Sequence, residues 1–74
     1  MGTTEDRRRR VDWIMTQLGE FHRKRKGERV DRKKFIALFA YETGCNMSTG
    51  VEILKMLELN GKLKRDVKNN EVWI

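Results

Sequence analysis

Arg7 to Arg10, Arg23 to Lys26 and Arg32 to Lys34 concentrate cationic side chains in the first half of a 74-residue chain. Residues 7–34 hold twelve Lys and Arg against four Asp and Glu, a balance of +8. Residues 35–61 carry −2, residues 62–74 return to +2 and residues 1–6 carry −2, for a net +6. A cationic density of this kind does one sort of chemistry well, the capture of a polyanion. Nucleic acid is the first candidate partner and an anionic membrane surface the second.

Other chemistries are poorly supplied. His22 is the only histidine and lies beside a basic run, as a solvated helical residue would. Cys45 has no base or second thiol near it in sequence, and it falls at a turn position suited to buried packing. Metal sites want three or four ligands of suitable type, and no such cluster is present. The six glycines are too widely spaced for a phosphate-cradling loop. The carboxylates lie scattered among Lys and Arg, as on a solvated surface. No catalytic residue, metal or cofactor is therefore expected, no small-molecule effector is evident, and the chain reads as a non-enzyme.

Hydrophobic and charged residues each make up 38% of the chain, and the apolar ones recur in regular patterns. That combination argues for one small folded domain over residues 1–74, with residues 1–5 expected to fray. The longest apolar run, Phe35 to Tyr41, is far shorter than the roughly 20 residues of a membrane span. No apolar block follows the N-terminal charges, and a single cysteine cannot form an internal disulfide. A cytoplasmic or nucleoid-associated location is the expectation.

The elements that must position the charges are read from periodicity. Val11, Ile14, Leu18 and Phe21 share one helical face, which predicts a first helix from about Thr4 to Lys26. Thr3 with Asp6 resembles a capping box, and Gly27 can close the helix. Gly19 lies within it at a cost of about 1 kcal/mol relative to Ala. Arg7 to Arg10 crowd its positive end, where an external anion would be favoured. Glu28-Arg29-Val30 reads as a short edge strand. Asp31 reads as the N-cap of a second helix, Arg32 to Thr43, which Gly44 ends. Phe35, Ile36, Phe39 and Ala40 form its buried face, with Leu38 just beside. Asn46 or Ser48 caps a third helix that ends at Asn60-Gly61, with Gly50, Ile53, Leu54 and Leu57 inward.

The last thirteen residues change period, and Asn69-Asn70 suits a two-residue hairpin turn. That register sets Lys68 opposite Glu71 and Val67 opposite Val72. Trp73 would share a face with Lys64 and Asp66 and be partly exposed. Trp13, Met15 and Met56 flank the apolar stripes. They either widen a small core or, for Trp13 and Met15, form the seam of a homodimer, while Trp73 would cover lysine stems, touch a second subunit or lie against nucleic acid.

Phe39 to Leu57 resembles the helix-turn-helix of winged-helix DNA-binding proteins. Ala40 stands where that family carries a small residue, Gly44 at the turn glycine, Cys45 at the apolar plug, and Asn46 or Ser48 at the cap. Leu59-Asn60-Gly61-Lys62-Leu63 is similar to the family's exit into its first wing strand. The resemblance extends over roughly residues 4–74. It implies an α+β winged helix-turn-helix of three helices, a short strand and a C-terminal hairpin wing.

The resemblance also implies binding of double-stranded DNA, as a small transcriptional regulator and a likeness to proteins that often act as homodimers. The third helix would enter the major groove with Met47, Ser48, Thr49, Val51, Glu52 and Lys55 toward base edges. Arg7, Arg8, Arg29, Arg32, Lys33, Lys34, Lys62, Lys64, Arg65 and Lys68 would reach phosphates. The reading helix carries no Arg, Gln or Asn after its cap, so phosphate holding with weak or shape-based sequence readout is expected. The alternative is a protein-interaction winged helix within a larger nucleic-acid machine. An arginine-rich helix for RNA or membrane is a third reading, against which the hairpin pattern speaks.

Overall fold

A computed structural model describes residues 4–74. The order is α1 (Thr4–Lys24), β1 (Val30–Asp31), α2 (Arg32–Thr43), α3 (Met47–Leu59), β2 (Lys64–Asp66) and β3 (Glu71–Trp73). The three strands form an antiparallel sheet in the order β1-β3-β2. The class is α+β, in the element order that periodicity predicts. No helix among the described residues is long and apolar enough to cross a membrane.

The apolar stripe of α1 buries Ile14 and Leu18 completely, while Val11 and Phe21 are half-buried at its ends. Glu5 and Asp6 occupy the first turn and complement the helix dipole, so the arginines begin only behind them. Thr3, the expected cap, lies outside the described residues, whereas Thr4 and Glu5 of the segment expected to fray are helical. The helix stops at Lys24, two residues early. His22 Nδ1 accepts from the Gly27 backbone N–H at 3.3 Å, and Gly27 adopts φ 77°, which turns the chain away.

Asp31 caps α2 by accepting from the Lys34 backbone N–H at 2.9 Å. Gly44 closes the helix in the left-handed region at φ 72°, its N–H donating to Ala40 O. Phe35, Ile36 and Phe39 face inward against Ile53, Leu54 and Leu57 of α3, with Leu63 and Val72 completing one core. Asn46 is the N-cap of α3, yet its side chain makes no capping bond.

Two glycines lie inside helices for different reasons. A Cβ on Gly50 would stand 2.9 Å from Phe39 Cδ2 and 3.4 Å from Ile36 Cγ2, so α2 and α3 touch through it. Phe39 is fully buried and cannot give way. Gly50→Ala is therefore expected to destabilise, because overpacking costs about 1–3 kcal/mol against a helix-propensity gain of about 1. A Cβ on Gly19 meets nothing nearer than Ile74 Cδ1 at 4.0 Å. Gly19→Ala should stabilise by about 0.5–1 kcal/mol. Thermal melts of the two variants should move in opposite directions.

The hairpin differs from its predicted register. Arg65 pairs with Val72, Asp66 with Glu71 and Lys64 with Trp73, a shift of two residues that leaves residues 67–70 as the loop. A two-residue turn would need positive φ at both asparagines, but only Asn70 has it, at 52°. Asp66 instead accepts from the Asn69 backbone N–H at 3.2 Å and from Asn69 Nδ2 at 2.9 Å, which builds the longer loop. Val67 is consequently not paired with Val72 and is 74% exposed. Lys68 lies in the loop rather than opposite Glu71.

Candidate nucleic-acid interface

The start of α2 and the hairpin loop are joined directly, since the Arg32 backbone N–H donates to Asn70 O at 2.9 Å. That bond brings Lys33 and Lys34 to the same end of the molecule as Lys68. Both α2 lysines, together with Lys62, Lys64 and Lys68, are exposed. None of the five takes part in the ion pairs among the described residues. Arg7 and Arg8 on α1 are likewise exposed and outside the ion pairs among the described residues. Exposed cations outside internal ion pairs are what a phosphate backbone neutralises.

Three expected phosphate ligands are placed differently. Arg29 donates from Nη1 to Asp66 Oδ2 at 2.8 Å, and its guanidinium lies 4.2 Å over the centre of the Trp73 ring. Its charge is thus spent on pinning the segment before α2 to the hairpin. Arg65 is half-buried with Nη1 3.9 Å from Glu58 Oε2. Arg32, at the head of α2, is half-buried within reach of that pair. Burial first, then the like charge of Arg65, holds its guanidinium below the usual arginine value, and Glu58 opposes the shift. The Nε atoms of Arg32 and Arg65 are shielded and without hydrogen-bond partners. Two guanidiniums against one carboxylate leave this niche with an uncompensated positive charge.

The outward face of the sheet is acidic in the row beside the hairpin loop. Asp31, Glu71 and Asp66 stand opposite one another along one row, and among the described residues Arg29 pairs with Asp66. Of the lysines, Lys64 shares this face on the edge strand β2, and Lys68 lies in the loop beside it.

The α3 face is the other half of the candidate site. Met47, Ser48, Val51, Glu52 and Lys55 are exposed, whereas Thr49 is half-buried. The face is lightly charged, with Lys55 its one cation. Tyr41 on α2 is 85% exposed and Met47 is 48% exposed. The face could follow a groove, because a helix of about 10–12 Å diameter fits the roughly 12 Å major groove of B-DNA.

The side chains expected at a dimer seam are engaged within the protomer. The Trp13 ring packs against Phe35 at 5.8 Å and Phe39 at 5.7 Å between centroids, the latter edge to face. Met15 is half-buried against the same core, and Trp73 lies under Arg29. For Trp13 and Met15 the core-widening alternative describes their contacts.

Sequence reasoning missed the Arg29–Trp73–Asp66 group and the Arg32–Arg65–Glu58 niche, both of which join residues far apart in the chain. Asp66 with Asn69 three residues on was the one local signal available, a side-chain-capped turn. Hydrogen bonds from the Asn69 side chain and backbone hold the Asp66 carboxyl below its ordinary value, and burial opposes them. A depressed folded value means that its stabilisation is present above the ordinary carboxylate range and is lost on acidification through the folded value. Asp66→Asn should therefore leave a protein whose stability falls less steeply with acid below about pH 4. Denaturant midpoints across that range measure the difference.

Comparison of the chain with protein-family models, with curated proteins and with solved structures gives no match.

Proposed function

We propose that this chain is a winged helix-turn-helix protein that binds double-stranded DNA and acts as a small transcriptional regulator. In this reading α2 and α3 are the helix-turn-helix, and the β2–β3 hairpin is the wing. The observation that carries it is the set of five exposed lysines at the head of α2, before β2 and on the hairpin, outside the ion pairs among the described residues. They would hold phosphates on either side of a groove occupied by α3. The under-neutralised Arg32–Arg65 niche lies at the same junction and adds a fixed positive potential. Pairing of two copies through Trp13, Met15 and Trp73 would use the partly exposed remainder of each side chain.

One observation favours a second reading. The exposed face of α3 has no Arg, and Leu38, Tyr41, Met47 and Val51 leave apolar surface on the two helices. A protein-interaction module of a larger nucleic-acid machine would use that surface, with the lysines as a separate, sequence-blind anchor.

Paired titrations separate the two. A duplex selected from a random pool and a scrambled one are bound by the native chain and by a Ser48→Ala, Thr49→Ala variant. Base reading predicts a loss of about 1–3 kcal/mol per contact on the selected duplex alone. Equal losses on both would make these hydroxyls phosphate ligands. No loss on either supports the protein-interaction reading.

A further inference from the structure

The N-terminal part of α1 and the turn between α2 and α3 border an open cavity that neither the core nor the duplex-binding reading uses. Its volume is about 300 Å³, and Asp6, Arg9, Arg10, Trp13, Thr43 and Cys45 line it. The four residues from α1 are spaced i, i+3, i+4 and i+7, so one helical face supplies them. Trp13 is already fixed by Phe35 and Phe39, which makes the rest of its indole a rigid wall. Thr43 and Cys45 have their polar groups engaged locally. Thr43 Oγ1 donates to Phe39 O at 2.6 Å and accepts from the Cys45 backbone N–H at 3.4 Å.

Arg9 and Arg10 remain, one exposed and one half-buried, and neither forms an ion pair among the described residues. The cavity thus presents two guanidinium forks beside a fixed aromatic wall. Guanidiniums recognise carboxylates through paired, charge-assisted hydrogen bonds, and an indole takes a planar ring against its own. The Asp6 carboxylate, also in the lining, disfavours a ligand carrying more than one negative charge. The volume lies at the small end of ligand pockets, which run about 300–1,000 Å³.

We infer that this cavity is a binding site for a planar aromatic monocarboxylate of one or two rings. Arg9 and Arg10 hold the carboxylate, and Trp13 packs on the ring. The site goes beyond the duplex-binding reading and stands without it. An occupant would bridge α1 to the turn that sets the direction of α3, which makes the site suited to an effector.

NMR titration of the full chain with 2-naphthoate tests the site. Saturable shifts are expected at the Trp13 indole N–H and at the Thr43 and Cys45 amides, with the Trp73 indole unmoved. Arg9→Ala with Arg10→Ala should weaken binding at least about tenfold, and 2-naphthamide, of the same shape without the charge, should bind at least about tenfold less tightly. Arg9→Lys with Arg10→Lys, which keeps the charge but loses the fork, should fall between and serves if the alanine variant fails to fold. Unsaturable shifts spread over exposed lysines would overturn the inference. So would equal binding of the amide, or inorganic phosphate binding as tightly with the same shifts, which marks a plain anion site open to a nucleic-acid backbone.

Discussion

Replacing Lys33 and Lys34 together with Ala is expected to flatten the salt dependence of duplex binding by about 1.8 units of log–log slope, at about 0.9 per lost phosphate contact. Against a 1 M reference, that slope corresponds to a loss of roughly 60-fold in affinity at about 0.1 M salt. The loss should be alike for every duplex, because phosphates carry no sequence. Both lysines are exposed and outside the ion pairs of the fold, while the α2 cap uses the Lys34 backbone rather than its side chain. Thermal stability should therefore hardly change. Anisotropy titrations at several salt concentrations give the slope, and silence of both lysines would remove the head of α2 from the interface.

Phe39→Ala should have the largest effect on stability. The ring is fully buried, meets the Trp13 indole edge to face and lies against Gly50 where α2 crosses α3. Truncation leaves a cavity beneath two helices and costs about 3–5 kcal/mol. A chain of this size holds roughly 4–11 kcal/mol in all, so the variant should be marginally folded. Urea titration followed by near-ultraviolet circular dichroism of Trp13 reads both the lost stability and the loosened indole. A midpoint near that of the native chain would mean that the α2–α3 contact is carried elsewhere.

The helices were legible in the sequence through their apolar periodicity, and α2 also through its own punctuation. Asp31 and Gly44 bound α2 at the expected residues, and the α1 stripe of Val11, Ile14, Leu18 and Phe21 is the inward one. The hairpin register was not, because Asn69-Asn70 satisfies two turn chemistries and only the Asp66 carboxylate selects between them. Of the basic residues, composition foretold the lysines that stay in solvent. It could not foretell that Arg29 is drawn to Trp73 and Asp66, or Arg65 to Glu58, since those partners meet only once the sheet has formed. The cavity beside Trp13 was hidden for the same reason: α1 supplies one wall and the α2–α3 turn the other.

The central claim, a duplex held mainly through phosphates by lysines of α2 and the hairpin, is tested most directly by the salt dependence of binding to a random-sequence duplex. Titrations from about 50 mM to about 200 mM salt should give a straight log–log plot with a slope near −4.5, for five contacts at about 0.9 each. Binding that is saturable yet nearly independent of salt, or absent at the lowest salt, would contradict it.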